Sequence, residues 1–123
     1  MKLAVTALGT DMNAAIDPRF GRCQNFVIID SDTGQHEAFS NEGIASSGGA
    51  GTQSAQFLAN HKVDAVVTGN LGPNAVRALD AAGIKAYRME SGRVSDALEA
   101  FKAGKLSMIS GATVGSHHGM GSR

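Results

Sequence analysis

From Leu3 to Leu8 the chain reads Leu-Ala-Val-Thr-Ala-Leu, apolar at odd and even positions alike. Successive side chains of a strand point to opposite faces, so a run of this kind needs cover on both. The segment Lys2 to Leu8 is therefore expected at the centre of a sheet held between two other layers.

The rest of the chain supplies those layers. Asn25 to Asp30 reads as a second strand and Gln35 to Phe39 as a weaker third, joined through Ser31, Asp32, Thr33 and Gly34 as an antiparallel hairpin. Ser40 to Gly51 is polar and rich in glycine, and it leads to Thr52, a candidate N-cap, and a helix to about His61. Ala65 to Thr68 is a short buried strand. Gly69-Asn70-Leu71-Gly72-Pro73 then turns the chain into a second helix that Gly83 ends. Ile84 to Tyr87 is the fifth strand, and Val94, Ala97, Leu98 and Phe101 mark one face of a third helix closed by Gly104. Leu106 to Ile109 has the character of a segment that packs back weakly.

Right-handed crossovers make strands one, four and five parallel, and the hairpin adds strand two antiparallel to strand one. The expected fold is an α/β, three-layer α/β/α arrangement of the ribonuclease H type, with a mixed five-stranded sheet in the order 3-2-1-4-5. At 123 residues the chain fits one domain, placed at residues 1–109, with 110–123 having the composition of a mobile Gly/Ser/His tail.

Charge narrows the function. Lysine plus arginine and aspartate plus glutamate are 11 each, so no field of one sign speaks for nucleic acid or a membrane as partner. One cysteine cannot form an internal disulfide, and Met1 to Thr10 contains no signal peptide or long apolar segment. A reducing cytoplasm is the expected setting.

The loop from Gly9 to Gln24 has no sustained period, and a structureless loop of that length is uncommon without a task. It ends in Asp17-Pro18-Arg19-Phe20-Gly21-Arg22-Cys23, which gathers two guanidinium groups and the chain's one thiol. The topology brings Gly9 to Gln24, Ser40 to Gly51, Gly69 to Pro73 and Arg88 to Gly92 to one rim, where open α/β sheets hold ligands. Three helices are expected to begin at or near that rim, each with unpaired N–H groups and the positive end of its dipole. Arg19, Phe20, Gly21, Arg22, Cys23, Gly49, Gly51, Asn70, Gly72 and Asn74 are the candidate binding residues. With Cys23 as a soft donor, the rim suits a sulfur-rich or metal-containing anion better than a plain phosphate.

Asp17 to Arg22, Asn41, Gly49-Ala50-Gly51, the run Val63 to Gly72, Asn74-Ala75, Leu79 and Ala82-Gly83-Ile84 together resemble the dinitrogenase iron-molybdenum cofactor biosynthesis family, which includes NifX-type and NafY-type carriers and the NifB C-terminal domain. The resemblance spans about residues 1 to 106. It implies a ribonuclease H-like fold and a non-catalytic role in binding or carrying an iron-sulfur or iron-molybdenum cluster precursor, with a cluster-assembly or acceptor protein as partner. The nitrogenase branch often has histidine where this chain has Arg19, which favours general metallocluster or anion binding here.

Alternatives remain at several positions. Cys23 is either a metal ligand or a small buried residue, and a single thiolate falls short of the four that iron-sulfur clusters usually take. Arg19 and Arg22 either face a ligand or pair with Asp11, Asp17 or Glu42. Phe20 reads as a plug that fixes where the arginines point. His117 and His118 are either loose metal ligands or part of the tail. Two other functions compete: a protein-interaction module with a structural Cys23, and a metal-dependent nuclease, disfavoured because strand one has no acid.

Overall fold

The computed structural model of the chain describes residues 1–41 and 49–111. At its centre lies β1 (Lys2–Ala7), antiparallel to β2 (Asn25–Asp30) on one side and parallel to β4 (Ala65–Thr68) on the other. β3 (His36–Ser40) extends the sheet beyond β2, and β5 (Lys85–Arg88) lies beyond β4. A sixth strand, β6 (Ser107–Met108), adds to the expected five and gives the order 3-2-1-4-5-6. It pairs antiparallel with β5, Tyr87 opposite Met108 and Arg88 opposite Ser107.

Two cores follow from the period-2 alternation. Leu3, Val5 and Ala7 of β1 join Val27, Ile29, Val67, Val94 and Ala97 on the face covered by α3 (Val94–Lys102). Ala4, Phe26, Ile28 and Val66 point the other way, toward Ala55 and Leu58 of α1 (Ala50–Asn60) and Ala75 and Leu79 of α2 (Pro73–Ala81). The unbroken apolar run of β1 is thus covered from both sides: Leu3, Ala4, Val5 and Ala7 have no exposed surface.

Several boundaries differ from expectation: β3 and β5 each run one residue later at both ends. Strand one stops at Ala7, and Leu8 is largely exposed. Helix α1 begins at Ala50, so Thr52 lies inside its first turn and is no cap; the N-cap is Gly49, with φ 73 and no side-chain bond. A left-handed residue at that position is within easy reach only of glycine, which lets the chain enter the helix three residues earlier than a cap at Thr52 would.

At the end of the sheet away from the β1 carboxyl terminus, the Met1 ammonium lies 3.3 Å from Asp32 in the β2–β3 turn. Among the described residues no helix is long and apolar enough to cross a membrane. His117 and His118 fall outside the described residues, as does most of the tail.

Candidate functional site

The loop leaving β1 is laced to the sheet along its length. Leu8 N donates to Ala15 O at 2.9 Å, Asp17 N to Thr6 O at 2.9 Å, and Asn70 N to Pro18 O at 2.8 Å. The Thr6 hydroxyl, buried in the central strand, donates to Asp17 O at 2.6 Å and lies 2.8 Å from the Thr68 hydroxyl. Phe20 is 2 % exposed and meets Phe26 edge-on, so it is the plug the sequence suggests.

Gly21 sets how closely this loop can approach α1. A Cβ there would stand 2.8 Å from Gly51 N and 3.0 Å from Gly51 Cα, both backbone atoms. Only glycine fits between the two chain segments. The contact carries residues 19–22 to the start of α1, and the Asn70–Pro18 bond carries them to the start of α2.

Between these elements lies an open cavity of about 400 Å³. Arg19, Phe20, Gly21 and Arg22 line it from the loop, Gly49 and Gly51 from the start of α1, and Asn70, Gly72 and Asn74 from the turn into α2. Nine of the ten binding candidates therefore meet at one cup, from three separate stretches of chain.

Cys23 is the exception, and its expected place at the rim needs correction. It is fully buried beneath the loop and does not line the cavity. Asn41 closes over it: Nδ2 donates to Gly21 O at 3.0 Å and Cys23 O at 3.1 Å and lies 3.6 Å from Sγ. Burial, and after it the charge of Asp17, push the thiol up to about 12. A thiol so placed stays protonated at neutral pH and lies outside the cavity. Among the described residues no group of three or more His, Cys, Asp or Glu is arranged to hold a metal ion.

The third helix start meets the loop but stands apart from the cavity. α3 opens on the opposite face of the sheet, and neither it nor the segment 88–92 lines the cavity. Ile16 N donates to Gly92 O and Val94 N to Ala14 O, both at 2.9 Å, so this helix holds the other flank of the loop. The cavity itself is lined by two helix starts, while α3 begins at the same edge beside it.

Those two starts are suited to an anion. Gln53 is the first residue of α1 whose N–H bonds back into the helix, to Gly49 O, leaving Ala50, Gly51 and Thr52 without intrahelical acceptors. In α2 the first such bond is Val76 N to Gly72 O; Pro73 has no N–H, so Asn74 and Ala75 are left. Each terminus adds the equivalent of about half a positive charge. The Asn74 side chain also accepts a hydrogen bond from Arg77 Nη2 at 2.7 Å.

Sequence reasoning named Asp17 only as a possible partner for the arginines, yet it organises the loop. Its side chain has no exposed surface, and it accepts hydrogen bonds from Arg19 N, Arg19 Nε, Arg19 Nη2 and Gln24 N. The bond and the charge from Asp17 hold the Arg19 guanidinium in its protonated form, above its ordinary range. One signal was present in the chain: an aspartate two residues ahead of a backbone N–H it can accept is a turn-former in its own right.

Comparison with known proteins bears on both fold and family. Residues 1–104 match the model of the family described as dinitrogenase iron-molybdenum cofactor. A protein of Methanocaldococcus jannaschii, itself described as uncharacterised, is 33% identical over 109 residues, 86% of this chain and 92% of its own. The apo form of the orange protein from Desulfovibrio gigas superposes with a TM-score of 0.90 at 38% identity, covering 92% of this chain and 96% of that one. The NMR structure of a candidate NifB protein from Thermotoga gives 0.81 at 34% identity, covering 92% and 97%. On the matched model and these relatives, the chain belongs to the dinitrogenase iron-molybdenum cofactor family.

Proposed function

We propose that the cup binds an anionic metal–sulfur species, an iron-sulfur or iron-molybdenum cluster or its precursor, and carries it to a cluster-assembly or acceptor protein without transforming it. The observation that carries this is the meeting of Arg19, Arg22 and the first turns of α1 and α2 at one cavity. The charge of Arg19 is largely offset by Asp17. Arg22 and the two helix starts remain, and together they suit an anion of more than one charge.

The preference for a sulfur-rich anion, first argued from Cys23, now stands on the cavity wall instead. Its cations are guanidinium groups, more weakly hydrated than an ammonium, and they sit beside Phe20, Ala50, Pro73 and Ala75. A large, diffuse anion surrenders its water to such a wall more readily than phosphate does. Binding by N–H donors also accommodates the missing thiolates: the cluster keeps its own sulfides as ligands and the protein holds it from outside. The relatives agree in kind, since one was solved as an apo form and another is a candidate NifB protein.

The test is an anaerobic titration of the full chain with tetrathiomolybdate, a molybdenum–sulfur dianion, followed through its own absorption bands. Saturable binding that outlasts competition by excess inorganic phosphate is the expected result. No binding of this probe, and no charge-transfer band after loading with iron and sulfide, would sink the assignment and favour an interaction module in its place.

A further inference from the structure

The Asp17 carboxylate is wholly buried, and each described hydrogen bond to it comes from the loop that shapes the cup. Oδ1 accepts from Arg19 N and Nε, both at 3.1 Å, while Oδ2 accepts from Arg19 Nη2 at 3.2 Å and Gln24 N at 3.1 Å. One edge of the guanidinium fork is therefore occupied. The remaining N–H groups, on Nη1 and the second hydrogen of Nη2, are carried by a side chain that is still 55% exposed and lines the cavity. Arg22 differs in kind: it is exposed and, among the described residues, forms no salt bridge.

We propose that the two arginines of the cup divide the work of recognition: Arg19, locked in direction by Asp17, selects the ligand through oriented hydrogen bonds, and Arg22 draws it in as an exposed charge. Asp17 is the positioning residue that separates the two roles. This rests on the anion-binding function of the cup given above. The Asp17–Arg19 pair is locally neutral, so its contribution is short-ranged and nearly indifferent to salt. The exposed charge of Arg22 acts over a distance and is screened within about 10 Å at 0.1 M salt. Lysine cannot stand in for Arg19, because a single ammonium has no second edge to offer while it serves Asp17.

The division is read by titrating the full chain with tetrathiomolybdate at about 0.01 M and about 0.5 M salt, conditions that leave exposed charges nearly unscreened or almost fully screened. Arg19→Lys, which preserves charge, is expected to weaken binding about tenfold at both concentrations, the scale of one lost charge-assisted hydrogen bond. Arg22→Gln is expected to weaken it at low salt and converge on the wild type at high salt. Asp17→Asn is expected to bind more weakly even though the cup has gained a positive charge; should that variant not fold, the two arginine variants decide. Equal salt dependence for Arg19→Lys and Arg22→Gln, or tighter binding by Asp17→Asn, overturns the division. A wild type that binds no probe at either salt overturns the cup's assignment along with it.

Discussion

Cys23 shows how much a single burial decides. Its thiol is pushed to about 12 by desolvation and then by Asp17, against an ordinary value of 9.0. The native protein at pH 8 is therefore expected to alkylate with iodoacetamide at least about a hundredfold more slowly than the urea-unfolded chain, since only the thiolate attacks. Comparable rates would mean that the loop opens readily. The stability consequence has a definite sign. Both states are protonated below about pH 9, and between 9 and 12 only the unfolded chain deprotonates, so the wild type loses stability across that window relative to Cys23→Ala. Urea midpoints of the two proteins at pH 8 and pH 10.5 check it. The sequence left burial and ligation of Cys23 as open alternatives and could not choose between them. A cysteine at the foot of an aperiodic loop has no neighbours whose spacing tells floor from rim, whereas Phe20, large and apolar, could be assigned inward on size alone.

Among the elements, the joint between the 17–23 loop and α1 is where tolerance is least. Gly21→Ala sets a methyl group against the Gly51 backbone, atoms that cannot rotate away, and is expected to lower stability by about 1–3 kcal/mol while weakening tetrathiomolybdate binding. Gly34→Ala, in the β2–β3 turn, is the control. Gly34 has φ 80 with open space around it, so that change costs about 1–2 kcal/mol and leaves binding untouched. If both variants bind alike, the Gly21 contact does not shape the cup. Helix and strand order was legible because each segment has its own period or run: Val94, Ala97, Leu98 and Phe101 can only be a helical face, and Ala65 to Thr68 only a buried strand. The start of α1 was not, because glycine and serine from Ser46 to Gly51 signal a turn whether or not a helix follows. The two-residue β6 falls within Leu106 to Ile109, the segment expected to pack back weakly, and is too short for its pattern to show a strand.

At the level of the whole molecule the convergence of the loops was legible, since it follows from strand direction alone. The parallel pairing of β1 with β4 and the reversal of β2 put the loop after β1 and the turn after β4 on one edge. What topology did not settle is which side of the sheet each helix covers, and so α3 turned out to brace the loop from behind. The cup joins three stretches that are far apart in sequence, so the free energy of a ligand bound there would be felt by the fold as a unit. Tetrathiomolybdate at about a hundred times its dissociation constant is expected to stabilise the protein by about 2.7 kcal/mol, seen as a rise in the thermal midpoint that Arg19→Lys reduces. An unchanged midpoint at saturating probe would show that the anion binds the unfolded chain equally well. The position of the amino terminus has a practical corollary. Met1 is tethered to Asp32 at the base of the sheet, a six-residue strand or roughly 20 Å from the mouth. Another domain joined ahead of Met1 would hang from that base and leave the mouth of the cavity clear, so larger assemblies can adopt this unit with the cup still open.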